Sequence, residues 1–328
     1  MFSRETDHSA CSIDIDWEYP GAPDRGGVPE DTENFTLLMK TLRRTLDAAP
    51  RKLGITFTIP SSFWYLRWFD MPGLLKYADW TNLMSYDLHG TWDANNPIGA
   101  IVQGHTNLTE IKLASQLLWR VGIKPEQVCI GFGFYGRSFQ LSDPTCTTPG
   151  CPFQGGASPG PCSKTSGVLM YYEIQAILDQ VSGLTPVHDE DAAVKYIVWD
   201  DDQWVSYDDA DTFEAKLGWA NAVGFGGSLI WAVDTDDDKY SAMSGLMGEP
   251  VSHVDLDQPV ALSMELTIAQ SLVGENGQDC RVMKQYACRN IDDLRCYGET
   301  MVGFDRDGCS VSRSFILHVV SSLSPALT

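Results

Sequence analysis

The feature that most constrains the fold is a regular alternation of strand-like and helix-like segments between positions 11 and 234. Five runs rich in β-branched and aromatic residues predict strands, and they are CSIDIDW, KLGITFTIP, WTNLMSYD, EQVCIGFGFYG and ANAVGFGGSLIWAVD. The segments between them that show helical spacing are EDTENFTLLMKTLRRTLDAA, MPGLLKYA and NLTEIKLASQLLWRVG. Such alternation predicts parallel strands joined by right-handed crossovers, so the expected fold class is α/β.

A long interruption separates the fourth and fifth strand-like runs, from about position 138 to about position 206. It holds a Cys-rich loop, a helix-like stretch GVLMYYEIQAILDQ, and two strand-like pieces, AVKYIVWD and QWVSYD, that flank a turn. This pattern predicts a small α+β insertion. From position 249 the periodicity decays, so we divide the chain into a domain over 1–248 and a linker with a Cys-rich tail over 249–328.

Charge and hydropathy exclude two classes of partner. The 328-residue chain carries a formal charge of −21, which repels nucleic acid and anionic lipid surfaces. No apolar run approaches the length of a membrane span, and the start MFSRETDHSAC lacks the apolar core of a signal peptide. We therefore expect no nucleic acid, no membrane and no readable export address in the chain as written, and we expect it to act as a monomer.

Nine cysteines favour an oxidising compartment. Disulfides are the preferred explanation, and a zinc site is the alternative, although the loops lack tight Cys-x-x-Cys pairs with suitably spaced histidines. The six histidines show no triad or metal spacing, so no metal is expected. Gly131, Gly133 and Gly136 have the spacing of a dinucleotide loop, but no capped helix and distal acid follow, so no cofactor is expected either.

Three acids at alternate positions, Asp14, Asp16 and Glu18, stand in the first strand-like run. Because side chains of a strand alternate between its faces, these three share one face. A solvent-facing polar edge would explain the pattern without function. If the acids instead crowd together, neighbouring negative charge raises the pKa of at least one of them and keeps a proton available for acid catalysis.

The run IDIDWEYP resembles the fourth-strand signature of family 18 glycoside hydrolases, the chitinases, Asp-x-x-Asp-x-Asp-x-Glu, with the last three acids matched. LMSYDLHGTWD resembles the sixth-strand motif of the family, GFGFYGRSF resembles the seventh strand, and GGSLIWAVDTDD resembles the eighth. These segments are most similar to those of large fungal chitinases. The resemblance covers about 11–248. It implies a (β/α)8 TIM barrel with a small α+β insertion domain.

The sequence departs from the family pattern in two respects. Cys11 replaces the first Asp of the signature, and Ser12 replaces the usual Gly. The segments for barrel strands one to three would precede Cys11. We therefore expect an incomplete barrel with strands four to eight, an N-terminal truncation, unpaired sheet edges, and low stability unless another segment covers the gap.

The resemblance implies retaining, substrate-assisted cleavage of β-1,4 bonds in chitin, in which the acetamide of the substrate is the nucleophile. It implies that Glu18 is the general acid and then the base, that Asp16 orients the acetamide, and that Asp14 shares a proton with Asp16. Tyr86 would donate a hydrogen bond to the acetyl oxygen. The alternative for Tyr86 is an ordinary half-buried tyrosine.

Substrate-binding residues are expected at the same end of the strands. The resemblance implies that Asp87 holds the sugar and that Trp231 forms the floor, although Asp87 could cap a loop and Trp231 could be core. Wall or groove-lining residues are expected to be Met84, Arg137, Trp64 and Trp92. The predicted function is that of an extracellular chitinase. The alternatives are a non-catalytic remnant that binds chitin or N-acetylglucosamine oligosaccharides, or an inactive truncated product.

Overall fold

The computed structural model describes residues 12–50 and 53–251, and the backbone of 302–305, 310–311 and 314–319. Cys11 and the cysteines of the tail lie outside the described residues, so the expectations for them concern positions the structure does not describe.

Strands and helices alternate through the described part. In chain order the strands are β1 (Ser12–Trp17), β2 (Gly54–Pro60), β3 (Trp80–Met84), β4 (Val128–Gly133), β5 (Tyr135–Leu141), β6 (Phe153–Gly155), β7 (Val168–Met170), β8 (Val187–Asp189), β9 (Val194–Trp199), β10 (Gln203–Tyr207), β11 (Gly227–Trp231), β12 (Val302–Asp305), β13 (Ser310–Val311) and β14 (Ser314–Val319). The helices are α1 (Asp31–Asp47), α2 (Phe63–Leu66), α3 (Met71–Leu74), α4 (Leu108–Arg120), α5 (Tyr171–Gln180), α6 (Ala210–Val223) and α7 (Ser241–Met247).

The larger sheet has eight strands in the order β13-β12-β11-β4-β3-β2-β1-β14. The five central strands pair in parallel, as predicted from the alternation. The five predicted strands alone would leave unpaired edges beside the first and the last of them. Instead β14 pairs in parallel with β1, and β12 pairs antiparallel with β11. The tail, where the periodicity decays, contains the β-rich run SFILHV, and such a run is long enough to form an edge strand.

All five predicted strands are present, and two of their boundaries differ from the prediction. The run EQVCIGFGFYG is two strands rather than one, because β4 ends at Gly133 and β5 starts at Tyr135 in a different sheet. The start of ANAVGFGGSLIWAVD is helical, because α6 continues to Val223. Gly224 then ends the helix with a left-handed backbone, φ 101°, which a glycine adopts without steric cost.

The hydrophobic core lies between the larger sheet and its helices. Helix α1 buries Phe35 and Met39, and the ring of Phe35 meets those of Trp17 and Phe57 edge to face. The sheet contributes buried apolar side chains from each central strand, among them Ile15, Phe57, Leu83, Ile130 and Ile230. One face of the first strand therefore packs into this core, which leaves the opposite face for its acids.

The segment predicted as an insertion forms the smaller sheet, with the order β6-β5-β10-β9-β8 and with β7 paired to β5. A disulfide joins Cys146 and Cys151 in its loop, while Cys162 has no disulfide partner among the described residues. The buried Glu173 carboxylate accepts hydrogen bonds from the backbone of Cys162 and Met170, which closes the loop onto α5. The smaller sheet begins at the end of β4, so it stands directly beside the site described below.

Two clusters of acidic residues differ in their exposure. Asp200 and Asp201 are exposed in the hairpin between β9 and β10. Asp236 differs, because it is buried and accepts hydrogen bonds from the backbone at the start of α7.

In the described part of the chain, no helix combines the length and the apolar character that crossing a bilayer requires.

Candidate active site

The carboxyl ends of the central parallel strands bring the predicted site residues together. Glu18 lies one residue past β1, and Tyr86 and Asp87 follow β3 by two and three residues. Trp231 is the last residue of β11. Because parallel neighbours end at the same edge of the sheet, these side chains meet at one end of the strands, where sites of α/β folds form.

Asp14 and Asp16 are buried on the inner face of β1, with 1% and 4% of their surface exposed. The Thr56 hydroxyl and the Asn82 amide both donate to Oδ1 of Asp14, the amide from 2.9 Å. The Thr58 hydroxyl donates to Oδ1 of Asp16 from 2.5 Å. Every one of these donors is neutral. A solvent-facing polar edge, the alternative from the sequence, is therefore wrong for these two acids.

The pKa of Asp14 is raised from its usual 3.8 to about 7. Burial is the largest cause and the charge of Asp16 adds to it, while hydrogen bonds from Thr56 and Asn82 oppose the rise. The alternation of the acids predicts a shift caused by neighbouring charge, whereas desolvation is the larger cause. Oδ2 of Asp14 is buried and has no hydrogen-bond partner among the described residues, as a site that carries the proton would allow.

Glu18 also has a raised pKa. Burial is again the largest cause, followed by the charge of Asp16, and a hydrogen bond from Tyr19 and the charge of Arg25 oppose it. The negative charge of Asp87 also contributes to the rise, so the two carboxyl groups are close enough to interact. A raised pKa lets a carboxyl group keep its proton at higher pH, as a general acid must.

The surroundings of Asp87 favour its ionised form, in contrast to those of Asp14 and Glu18. Its Oδ1 accepts hydrogen bonds from the Tyr135 hydroxyl at 2.6 Å and from Arg137 Nε at 2.7 Å, and its Oδ2 accepts one from Arg137 Nη2 at 2.5 Å. His105 Nδ1 lies 3.7 Å from Oδ1. Burial would raise the pKa of Asp87, but its interactions with His105 and Arg137, the guanidinium charge among them, outweigh burial, so the pKa falls well below its usual range. Asp87 is thus a fixed negative charge.

Tyr86 and Met84 form a small buried cluster with Tyr135, against which Tyr19 and Trp231 pack. Gly131 on β4 makes room for this arrangement, because an added Cβ there would lie 2.9 Å from the Tyr86 ring and 2.6 Å from a carbonyl oxygen of β3. Burial raises the pKa of Tyr86 well above its usual value, and the nearby charge of Asp16 adds to the rise. The Tyr86 hydroxyl therefore keeps its proton and can donate it in a hydrogen bond.

Trp92 stands on a short 3₁₀ turn, Thr91–Asn95, that follows β3. Its side chain is 39% exposed, and Arg137 Cζ lies 4.9 Å from its ring. His89 connects this turn to α4, because its Nδ1 lies 2.8 Å from Asp93 in the turn and its Nε2 lies 2.8 Å from Glu110 on the helix. The turn therefore holds an exposed indole beside the guanidinium that binds Asp87.

Trp64 lies on α2, past the carboxyl end of β2, and is 50% exposed. The structure thus places most of the predicted site residues at or past the carboxyl ends of the central strands. Asp14 and Asp16 lie on the face of β1 that leads there, and Arg137 reaches Asp87 from β5 of the smaller sheet. Within the residues that the structure describes, no group of His, Cys, Asp and Glu side chains could hold a metal ion.

Sequence reasoning missed several residues that hold the predicted ones, namely Thr56, Thr58, Asn82, His105 and Tyr19. A signal for two of them exists, because Thr56 and Thr58 alternate along β2 as Asp14 and Asp16 do along β1. Only the register shows that Thr56 stands opposite Asp14. His105 lies in a loop with no pattern that would mark it.

An α/β fold with paired acids at the carboxyl ends of its strands has the form of a glycoside hydrolase site. Comparison with known proteins identifies the family to which the chain belongs. The profile of the Glycosyl hydrolases family 18 matches residues 4–236, and the chain belongs to this family.

Relatives of known name are similar over most of this chain. The chain is 34% identical over 251 residues to a protein of Penicillium expansum named "Probable chitinase LysM11", with 69% of this chain and 22% of that protein covered. It is 33% identical over 249 residues to the endochitinase of Manduca sexta, with 72% of this chain and 44% of that protein covered. The chain therefore spans less than half the length of these two relatives.

A solved structure supports the fold assignment. The chain resembles the Group IV chitinase of Ostrinia furnacalis in complex with allosamidin, with a TM-score of 0.63 and 31% identity. The similarity covers 73% of this chain and 66% of that chain. Structural neighbours of this family indicate a TIM-barrel type of fold.

Proposed function

We propose that this chain binds chitin and hydrolyses its β-1,4 bonds, with Glu18 as the general acid and base. The observation that carries the proposal is the proton state of the site: two buried aspartates and a glutamate of raised pKa lie beside a tyrosine that keeps its hydroxyl proton. Family membership and relatives named as chitinases support the choice of substrate.

In the proposed reaction the carbonyl oxygen of the substrate's own acetamide attacks the anomeric carbon while Glu18 gives its proton to the departing glycosidic oxygen. The cyclic intermediate carries a positive charge, which ionised Asp16 stabilises at the acetamide nitrogen. Glu18, now a carboxylate, takes a proton from water while the water oxygen attacks the anomeric carbon. The bond between that carbon and the acetamide oxygen breaks, which restores the acetamide. Two successive displacements retain the configuration at the anomeric carbon. Because Asp14 binds a proton near neutral pH, it can lend one to Asp16 when Asp16 needs to be neutral.

The remaining site residues bind the sugar in this proposal. Tyr86 donates a hydrogen bond to the acetyl oxygen, and Asp87, fixed by Arg137, accepts one from a sugar hydroxyl or amide. Trp231 stacks beneath the reacting sugar, with Met84 on the wall. Trp64 and Trp92 extend the binding groove outward.

The domain organisation and cellular setting are part of the same proposal. Residues 1–248 would supply barrel strands four to eight with an α+β insertion over about 138–206, and 249–328 would form a linker and Cys-rich tail. We infer extracellular action by a monomer, in agreement with the Cys146–Cys151 disulfide and with a 32% identical relative of Penicillium expansum named "Secreted chitinase LysM12".

The test is release of reducing sugar from colloidal chitin by the unaltered chain and by Glu18→Gln. We expect the variant to lose about 1000-fold in rate, because glutamine has the same shape but no proton to transfer. Circular dichroism should show the same fold for both. Equal rates would refute the catalytic role, and chitin binding by both without hydrolysis by either would establish a binding protein instead.

A further inference from the structure

His105 lies where the turn after β3 meets the smaller sheet. Its side chain is fully buried, whereas 36% of the Asp87 side chain is exposed. The imidazole therefore cannot touch a ligand, and any influence on the site must pass through a neighbour. The neighbour that faces the site is Asp87, whose Oδ1 lies 3.7 Å from Nδ1 of His105.

Two hydrogen bonds join His105 to the backbone of this turn. The N–H of Asp87 donates to Nδ1 of His105 at 3.3 Å, and the N–H of Leu88 donates to the carbonyl oxygen of His105 at 3.0 Å. Asp87 has a left-handed backbone, φ 58°, which residues other than glycine rarely adopt. Such a conformation persists only where its surroundings hold it, and here both bonds to His105 hold it.

The smaller sheet fixes the imidazole ring. Nε2 of His105 lies 3.2 Å from the carbonyl oxygen of Tyr135 on β5, and the backbone N–H of His105 donates to the Ser206 hydroxyl on β10 at 3.3 Å. Because a carbonyl oxygen only accepts, these partners assign the ring proton to Nε2 and leave Nδ1 as the acceptor for Asp87. The same sheet supplies Arg137, so it holds Asp87 at the backbone and at the carboxylate.

A buried ion pair secures the loop that carries His105. Nζ of Lys216 on α6 donates to the Thr106 hydroxyl at 3.2 Å and to the carboxylate of Asp208, which follows β10. Each of these three residues has only 1% of its surface exposed. The loop cannot shift away without disturbing a buried charge, which is costly. His105 is therefore held in one place before any ligand binds.

We propose that His105 is a positioning residue for Asp87, which fixes the backbone of Asp87 and thereby directs its carboxylate toward the bound sugar. Direction matters because the strength of a hydrogen bond falls steeply as its angle departs from linearity. The inference rests on the proposed role of Asp87 in sugar binding. It adds that the smaller sheet, acting through His105, determines where this carboxylate points.

The experiment replaces His105 in the Glu18→Gln chain, where no hydrolysis interferes, and measures binding of the hexamer of N-acetylglucosamine by calorimetry. The amide oxygen of asparagine can take the place of Nδ1, whereas the amide of glutamine reaches only the place of Nε2, and leucine replaces neither. We expect binding about fivefold weaker in His105→Leu and His105→Gln, the effect of one lost hydrogen bond, and restored to within about twofold in His105→Asn. His188→Asn, which removes an exposed imidazole from β8 of the same sheet, should change nothing.

A double-variant comparison tests whether His105 acts through Asp87. Asp87→Asn alone should weaken hexamer binding about thirtyfold, because an ionised acceptor is lost. Adding His105→Leu to Asp87→Asn should weaken it by less than about twofold more, since the group that His105 positions has already lost its charge. Hydrogen exchange at the Asp87 amide, followed by NMR, needs no ligand. It should be slow in the Glu18→Gln chain and in His105→Asn, and fast in His105→Leu and His105→Gln.

Two results would overturn the role of His105 and leave the proposed function standing. The first is unchanged hexamer affinity in His105→Leu where Asp87→Asn weakens it. The second is an equal loss in His105→Asn and His105→Gln, which would mean that the ring only fills space. If His105→Leu shows no cooperative thermal transition, the comparison of His105→Asn with His105→Gln decides alone.

Failure of the proposed function gives different results. Hexamer affinity that does not change in Asp87→Asn would remove Asp87 from the sugar site, and the role of His105 with it. An absence of hexamer binding by the Glu18→Gln chain would overturn both. Hexamer binding that depends on His105, in a chain that hydrolyses no chitin before the Glu18 change, would refute catalysis and retain the positioning role.

Discussion

Two carboxylate sites at the same end of the sheet have opposite proton affinities. Asp14 is buried among neutral donors, Thr56 and Asn82, and its pKa rises to about 7. Asp87 is held by the guanidinium of Arg137, and its pKa falls well below the usual range. Both carboxyl groups accept several hydrogen bonds. Burial raises the pKa of both groups, and only Asp87 has a cationic partner whose hydrogen bonds and charge outweigh that rise, so Asp14 stores a proton and Asp87 a negative charge.

The largest expected effect concerns the pH dependence that Asp14 imposes on stability. Its pKa is higher in the folded chain than the usual 3.8, so its contribution is fully present below pH 3.8 and is lost as the pH rises through about 7. The difference corresponds to about 4 kcal/mol. Urea unfolding of the unaltered chain and Asp14→Asn between pH 4 and 7.5 should show a steeper loss for the unaltered chain. Parallel curves would mean that neutral donors do not keep the proton on Asp14.

A second test uses His89, a buried cation between two carboxylates. Burial lowers its pKa, but the hydrogen bonds that its ring donates to Asp93 and Glu110, and the charges of those carboxylates, raise the pKa to about 9. The stabilisation is therefore present below pH 6.5 and is lost as the pH rises through about 9, with a total of about 3 kcal/mol. Urea unfolding between pH 6.5 and 10 should show this decline in the unaltered chain and a flatter curve in His89→Gln. A decline of equal size in both would exclude His89 as its source.

A third test concerns the ion pair between Arg137 and Asp87. Arg137→Met should lower the free energy of unfolding by about 2 kcal/mol, less than for a fully buried pair, because 36% of the Asp87 side chain is exposed. Asp87→Asn in the same chain should restore part of this loss, since the uncompensated charge is then gone. Chemical denaturation of the two single variants and the double variant gives the coupling energy. Strictly additive losses would contradict the ion pair as the cause.

The smallest expected effect comes from Thr58, which donates to Asp16. Thr58→Val keeps the shape and removes the hydroxyl, so we expect a loss of about 1 kcal/mol in stability. A fall of about tenfold in the rate on chitin should accompany it, because the charge on Asp16 loses a donor. Thr41→Val is the control, as that hydroxyl bonds only a backbone carbonyl on the outer side of α1. An identical rate in Thr58→Val and the unaltered chain would show that this hydrogen bond is not needed to position Asp16.

Much of the larger sheet could be predicted from the sequence, because its central strands are short runs rich in apolar and β-branched residues, and helix-like segments separate them along the chain. The alternation of acids in β1 was visible for the same reason. The boundary between β4 and β5 was not, because Phe134 interrupts neither hydropathy nor β-propensity. The pairing of β14 with β1 joins segments about 300 positions apart, and no local pattern specifies such a pairing.

The sequence by itself determined which residues carry acidic, aromatic and hydroxyl groups, and through its period it determined that Asp14 and Asp16 share a face of one strand. Only the tertiary structure decided what each carboxyl group meets. The register of β1 against β2 puts neutral hydroxyls beside Asp14 and Asp16, and the turn after β3 brings Asp87 to Arg137. Proton affinity depends on burial and on charges within a few ångströms, and those distances exist only once the strands have paired.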